Sequence, residues 1–267
     1  MTAILVGFQY SLTTIPGTIV DLYRAFCFSK KRGWKINIIT DISDPKLPSG
    51  IHREIVEDKV DPEVLSFLET KEFSAKLLVH DVEEFNKTIR NKLKTAESKI
   101  FIYYTGHGED GSMVFPNNEK FQFSDFKNLI LEEIPCTSKI FMVLDCCHPS
   151  NFSLPFQIKN KKFRLVDKWK PINHDLILVT SSKSNETSTA STMGSFFSKY
   201  FFDKVNNENI GKILENIRNS VKSIHKQKQT VSAYTSFPKH PVLWSWITGS
   251  KFEIKEDGII VLDRDFR

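Results

Sequence analysis

Short apolar runs recur along the chain and end in glycine, proline or polar clusters, and they alternate with longer stretches of helical period. AILVGF (3–8), KINIIT (35–40), AKLLVH (75–80), FIYYT (101–105), FMVLD (141–145) and DLILVT (175–180) are rich in β-branched and aromatic residues, the composition of buried strands. Between them, IVDLYRAFCFSKK (19–31) has helical spacing up to Gly33, and a short helix is expected near 62–70. VEEFNKTIRNKLKT (82–95) follows Asp81 as its cap, and DFKNLILEEI (125–134) follows Ser124. SFFSKYFFDKV (195–205) and IGKILENIRNSVKSIHK (210–226) close the series; in the latter Ile210, Ile213, Leu214, Ile217, Val221 and Ile224 fall at core spacing. Such alternation predicts an α/β fold, a largely parallel central sheet of about six strands with helices on its faces.

Two stretches break the rhythm. Residues 41–74 contain Pro45, Pro48 and Pro62 among many charges and read as an exposed insertion. Residues 156–172 gather Lys159, Lys161, Lys162, Arg164, Lys168 and Lys170 and read as a basic, linker-like loop. Neither has the patterning of a separate domain, so 1–267 is expected to be one domain.

Composition narrows the class. With 40% hydrophobic and 26% charged residues in 267, the chain has ordinary globular usage and enough length for a large core. Its 37 Lys and Arg against 32 Asp and Glu leave a dispersed +5, which argues for no nucleic-acid partner. No apolar stretch is long enough to span a bilayer, and MTAILVGFQYS lacks the charged start and cleavage pattern of a signal peptide. No membrane association and a cytoplasmic location are expected. The four cysteines, two of them adjacent at Cys146 and Cys147, do not form a secreted disulfide framework. A reducing compartment would keep them as thiols.

The chemistry lies in FIYYTGHG (101–108) and FMVLDCCHPS (141–150). Each apolar run delivers a reactive side chain just past its end, the edge of an open α/β sheet where sites form. A lone histidine there is ordinarily a surface or capping residue, and a lone cysteine near a core an inert small hydrophobe. Together, at the ends of two candidate neighbouring strands, His107 and Cys147 satisfy the base and nucleophile requirements of covalent catalysis if those strands pair in parallel. Gly106 and Gly108 let the backbone beside His107 approach a substrate closely.

Over nearly its whole length the chain resembles a metacaspase, within the caspase-like cysteine peptidases. AILVGFQYSLTTIPGTIVDLYRAF resembles the family's first strand and its L-x-G-C-x-x-D helix start, with Thr18 in the cysteine slot and Asp21 at the acidic position. YYTGHG and LDCCHPS resemble Y-S-G-H-G and D-S-C-H-S-G, and LVTSSKSNETSTASTMGSFFSKYF more loosely resembles the segment around D-x-Q-T-S and G-x-F-T. The Q-A-C-x-G motif of caspases proper is absent. The resemblance implies a caspase-like three-layer sandwich, type I-like and without a long Pro/Gln-rich prodomain.

It also implies roles. Alignment to D-x-C-H makes Cys147 the nucleophile, His107 its acid–base partner and Cys146 a packing residue. The backbone N–H groups of Gly108 and Cys147 become the donors to the oxyanion. Asp21 and Asp145, with Thr105 beside them, would line the pocket for the side chain preceding the scissile bond, where two carboxylates favour Arg or Lys. The expected activity is therefore an endopeptidase cleaving proteins or peptides after Arg or Lys through a thioester acyl-enzyme, and the basic stretch 157–171 is a target for self-cleavage.

No cofactor or metal is expected. EDGSMVFPNNEKF after G-H-G offers Glu109, Asp110 and Glu119 but no dense run of aspartates, and Ser153 stands where the family's calcium-dependent members have an aspartate. Calcium, which takes six to eight oxygens, is thus expected to activate weakly or not at all. Cys146, Cys147, His148 and His107 lack the spacing of a zinc site. Two other readings stay open: a caspase-like pseudoenzyme acting as a binding or regulatory protein, suggested by Pro149 and Ser150 in the altered S-G positions, and an acyl transfer with a different substrate. The sequence leaves the oligomeric state undetermined.

Overall fold

Six of the predicted runs become a parallel array. A computed structural model describes residues 1–10, 15, 17–43, 62–150, 152–159, 162–165, 172–183, 186–191, 193–204, 214–220, 229–236, 252–254 and 260–262. The runs appear as β1 (Thr2–Gly7), β2 (Lys35–Thr40), β3 (Leu77–Leu78), β4 (Lys99–Thr105), β8 (Lys139–Asp145) and β11 (Asp175–Thr180). Among the described residues the main sheet has nine strands, in the order β10 (Lys162–Leu165), β9 (Phe156–Lys159), β14 (Ser232–Thr235), β11, β8, β4, β1, β2 and β3. The segment from β11 to β3 is parallel throughout. The other three, β14 (Ser232–Thr235), β9 (Phe156–Lys159) and β10 (Lys162–Leu165), add antiparallel beyond β11.

That edge differs from expectation. Part of the stretch read as a basic loop, 156–172, is the β9–β10 hairpin, in which Phe163 pairs with Ile158 and Leu165 with Phe156. The Lys and Arg content masked short strands whose pairing is set by a tertiary partner, β14, and not by their own alternation. Residues 160–161 and 166–171 of this stretch lie outside the described residues.

The alternation of side chains along the central strands builds two cores. Ala3 and Leu5, Phe101 and Tyr103, Phe141 and Val143, and Ile177 and Val179 face one layer, packing with α1 (Thr18–Lys30), α2 (Pro62–Leu68), α3 (Lys71–Ser74) and α6 (Phe196–Lys204). Ile4 and Val6, Ile102 and Tyr104, Met142 and Leu144, and Leu176 and Leu178 face the other, against α4 (Val82–Lys94) and α5 (Phe123–Glu133). This is the helix–sheet–helix sandwich expected of the caspase-like fold. Val64, Phe67 and Phe73 are buried in the first core, so the end of the stretch 41–74 packs one face on it while Pro62, Glu63, Leu65 and Ser66 stay exposed; residues 44–61 lie outside the described residues.

Local boundaries follow capping chemistry. Asp81 accepts the Glu84 N–H at 2.8 Å and starts α4 as expected. Ser124 does not start α5, which begins at Phe123 after Gln122, with no side-chain cap. Phe123, fully buried, sets that start through packing. The predicted strand 75–80 pairs only at Leu77 and Leu78. Within 210–226 the described residues 214–220 are helical with Leu214 and Ile217 buried; Ile210, Ile213, Val221 and Ile224 lie outside the described residues. The small strands β5 (Gly108–Glu109), β6 (Ser112–Val114) and β7 (Lys120–Gln122) form a three-stranded sheet, and β12 (Ala190–Ser191) pairs with β13 (Gly194–Ser195).

Candidate active site

Register brings the reactive residues level. β4 and β8 are adjacent and parallel with Thr105 opposite Asp145, so His107 and Cys147 each lie two positions past a paired residue. Both line a cleft of about 330 Å³, together with Asp21, Thr105, Gly106, Asp145, Cys146, Ser188, Ser191 and Ser195 among others. Gly108 packs on the backbone of Cys147, since a Cβ there would lie 2.0 Å from the Cys147 carbonyl oxygen. Asp21, Thr105, His107, Gly108, Asp145 and Cys147, the residues given catalytic and pocket roles from sequence, therefore gather at one place.

Cys147 is half-buried, whereas Cys146 is 1% exposed and belongs to the α4–α5 core. The Cys146 carbonyl accepts the Ser181 and Ser182 hydroxyls at 3.2 and 3.0 Å, which fixes the peptide leading into Cys147. The residue after it, His148, holds the left-handed conformation at φ 47°. Its N–H donates to the Glu186 carbonyl and its own carbonyl accepts the Gly111 N–H. The turn leaving β8 is thus pinned to two separate loops.

The cysteine sulfur accepts the Ser188 N–H at 3.2 Å. Burial pushes the Cys147 thiol above its ordinary value, the Ser188 N–H pulls it back, and the Asp145 charge pushes it up again. Ser188 is held in turn: its hydroxyl donates to Asp145 Oδ1 at 3.1 Å and accepts from Gln229 Nε2 at 3.3 Å. Gln229 Oε1 accepts the Thr189 N–H, and the Glu186 carboxylate accepts the Thr230 N–H and hydroxyl. Segments 186–189 and 229–230 form one locked unit.

Two buried carboxylates form one wall. Asp21, in the first turn of α1 and 1% exposed, accepts Arg24 Nη1 at 3.1 Å and the Ser195 N–H at 2.9 Å. Burial holds its carboxyl well above the usual range, the neighbouring Asp145 charge adds to this, and Arg24 and Ser195 offset it in part. Asp145, at the end of β8, accepts the Ser198 hydroxyl at 2.6 Å as well as that of Ser188. Burial raises its carboxyl too, against the pull of the serine hydroxyls around it.

Sequence reasoning did not single out Ser188, Ser195, Ser198 or Gln229. The signal was compositional only, the Ser/Thr-rich run SSKSNETSTAST after β11, and spacing does not say which hydroxyl reaches which carboxylate. The acidic residues after G-H-G are engaged: Lys120 pairs with Glu109 at 3.0 Å and Asp110 at 3.9 Å, and Glu119 accepts the Val82 N–H. Among the described residues no three His, Cys, Asp or Glu side chains converge as metal ligands. No helix among them is long and apolar enough to cross a membrane.

A family model, the caspase domain, matches residues 9–241. Among solved structures, caspase-1 from Spodoptera frugiperda aligns with TM-score 0.57 and 15% identity, over 88% of this chain and 86% of that one. At that identity the likeness carries the fold. A comparison with curated proteins finds no match. The family match spans β4, β8, the cleft and its serine-rich wall, and the chain belongs to the caspase-domain family of cysteine peptidases.

Proposed function

We propose that this protein is a cysteine endopeptidase of the metacaspase type that cleaves proteins or peptides after Arg or Lys. The observation that carries the reading is the sharing of one cleft by Cys147, His107 and the carboxylates of Asp21 and Asp145. A substrate guanidinium or ammonium entering beside those carboxylates would exchange water for charge-assisted hydrogen bonds, while an Asp side chain would meet like charge.

Burial raises the Cys147 thiol, so attack begins with transfer of its proton. His107 takes it; the sulfur forms a bond to the scissile carbonyl carbon, and the oxyanion accepts N–H groups of Gly108 and Cys147. His107 then protonates the amine as the C–N bond breaks, and water, giving its proton back to His107, hydrolyses the thioester. The same preference would direct self-cleavage to 157–171, where bonds inside the β9–β10 pairing are protected until that hairpin opens.

Fluorogenic peptides ending in Arg, Lys or Asp test the reading, with Cys147→Ala as control. Arg and Lys peptides should be cut by the wild type alone and Asp peptides spared. Equal cleavage of all three would remove the acidic-pocket argument, and an unreactive Cys147 with no turnover would leave a binding protein.

A further inference from the structure

The ring lying against His107 is that of Tyr10, with centroids 4.5 Å apart and planes tilted by 48°. Tyr10 is 4% exposed, and its hydroxyl accepts the backbone N–H of His107 at 2.7 Å while donating to the Val114 carbonyl at 2.9 Å. Tyr104, whose hydroxyl is 3.4 Å from that of Tyr10, donates to the His107 carbonyl at 2.7 Å. Both backbone polar atoms of His107 are thus held by phenol oxygens. Gly106 leaves room for this arrangement, since a Cβ there would lie 2.6 Å from the Tyr10 hydroxyl and 2.9 Å from that of Tyr104.

Tyr10 has a φ of 63°. For a bulky L-residue that conformation is disfavoured by about 1–2 kcal/mol. Asp41, just past β2, holds it there: its two carboxylate oxygens accept the Gln9 N–H at 2.8 Å and the Tyr10 N–H at 2.7 Å. A strained, buried aromatic is fixed at one end by a carboxylate and applied at the other to the histidine.

We infer that Tyr10, anchored by Asp41, is the positioning residue for His107, setting the direction of its Cα–Cβ bond through the backbone clamp and its ring plane through the tilted ring contact. The inference rests on the peptidase reading of the same cleft. Tyr10 acts through the histidine and touches none of the reacting atoms. Losing its hydroxyl takes one partner from the part-buried His107 N–H and one from the Val114 carbonyl, and frees the imidazole to drift from the sulfur.

Tyr10→Phe on the full chain, which keeps the ring, tests this. kcat should fall about tenfold or more with KM held within about twofold. The pH profile for alkylation of Cys147 by iodoacetamide, read by mass spectrometry, should move toward that of His107→Ala. A kcat within about twofold of wild type, or a loss no larger than the loss of folded protein by circular dichroism, overturns the inference. Should the wild type cut no peptide, the peptidase reading fails and the alkylation profile still decides: a Tyr10→Phe profile on that of wild type overturns, and one shifted toward His107→Ala supports. If Tyr10→Phe does not fold, Asp41→Asn, which leaves the tyrosine side chain intact, takes its place in the same comparison.

Discussion

Asp145→Asn separates pocket charge from scaffold. The Asp145 carboxylate is 4% exposed, and its oxygens accept the Ser188 and Ser198 hydroxyls. An asparagine keeps one acceptor, and one of the serine hydroxyls can rotate to accept from the new amide. The swap should therefore leave folding stability within about 1 kcal/mol of wild type at acidic pH. What is lost is one charged partner for a substrate cation, about 1.5–3 kcal/mol, which is about 10- to 150-fold in kcat/KM.

The pH dependence gives a second signature. Folding raises the pKa of Asp145 and of Asp21, so the folded protein holds protons that the unfolded chain releases. Wild-type stability therefore declines as pH rises from the unfolded carboxylate value, about 3.9, toward the raised folded values. Asp145→Asn removes its own share of that decline, so its melting temperature should gain on wild type across this window and then hold level. Asp21, relieved of a like charge, should ionise at lower pH, moving the rise of kcat/KM for Arg peptides in the same direction.

The assay compares matched peptides ending in Arg or in uncharged citrulline, alongside thermal melts over the same pH series. A discrimination between the two smaller by about 10- to 150-fold, with Asp21 keeping the remainder, is the expected result. If both peptides lose activity equally while Arg remains preferred as before, Asp145 serves to hold Ser188 and the pocket-charge reasoning fails.

Gly108→Ala would drive its Cβ onto the Cys147 carbonyl; kcat/KM should fall about 100-fold with the fold retained, and an alanine variant of wild-type activity would refute the close approach. Arg24→Gln leaves Asp21 without its cationic neighbour, so KM for Arg peptides should fall about threefold at alkaline pH and depend more steeply on pH; an unchanged KM across the series would show that Arg24 does not compete for that carboxylate. Calcium added against a chelator should change the rate by less than about twofold, because Glu109, Asp110 and Glu119 are already partnered and a calcium site needs many free oxygens; strong activation would place a site elsewhere in the chain.

The sequence by itself determined the parts whose signal is local. Burial on both faces of β1, β4, β8 and β11 is written in their unbroken apolar runs, because a central strand meets an apolar layer on each side. The Asp81 cap is local as well, its partner being three residues away. His107 and Cys147 stood out because strand ends are legible and reactive residues just past them are few.

Only the tertiary structure decided the rest. β9 and β10 carry too much charge to read as strands and exist through pairing with β14 and with each other. Ser195 reaches Asp21 across 174 positions, Tyr10 reaches His107 across 97, and Ser188 reaches Cys147 across 41. A hydrogen bond depends on distance and angle in space, and neither is encoded in residue type or short-range spacing. Serines and a tyrosine look alike wherever they occur in a sequence; the chain crossing of α1, β13 and the β4–β8 register selects the ones that hold the site.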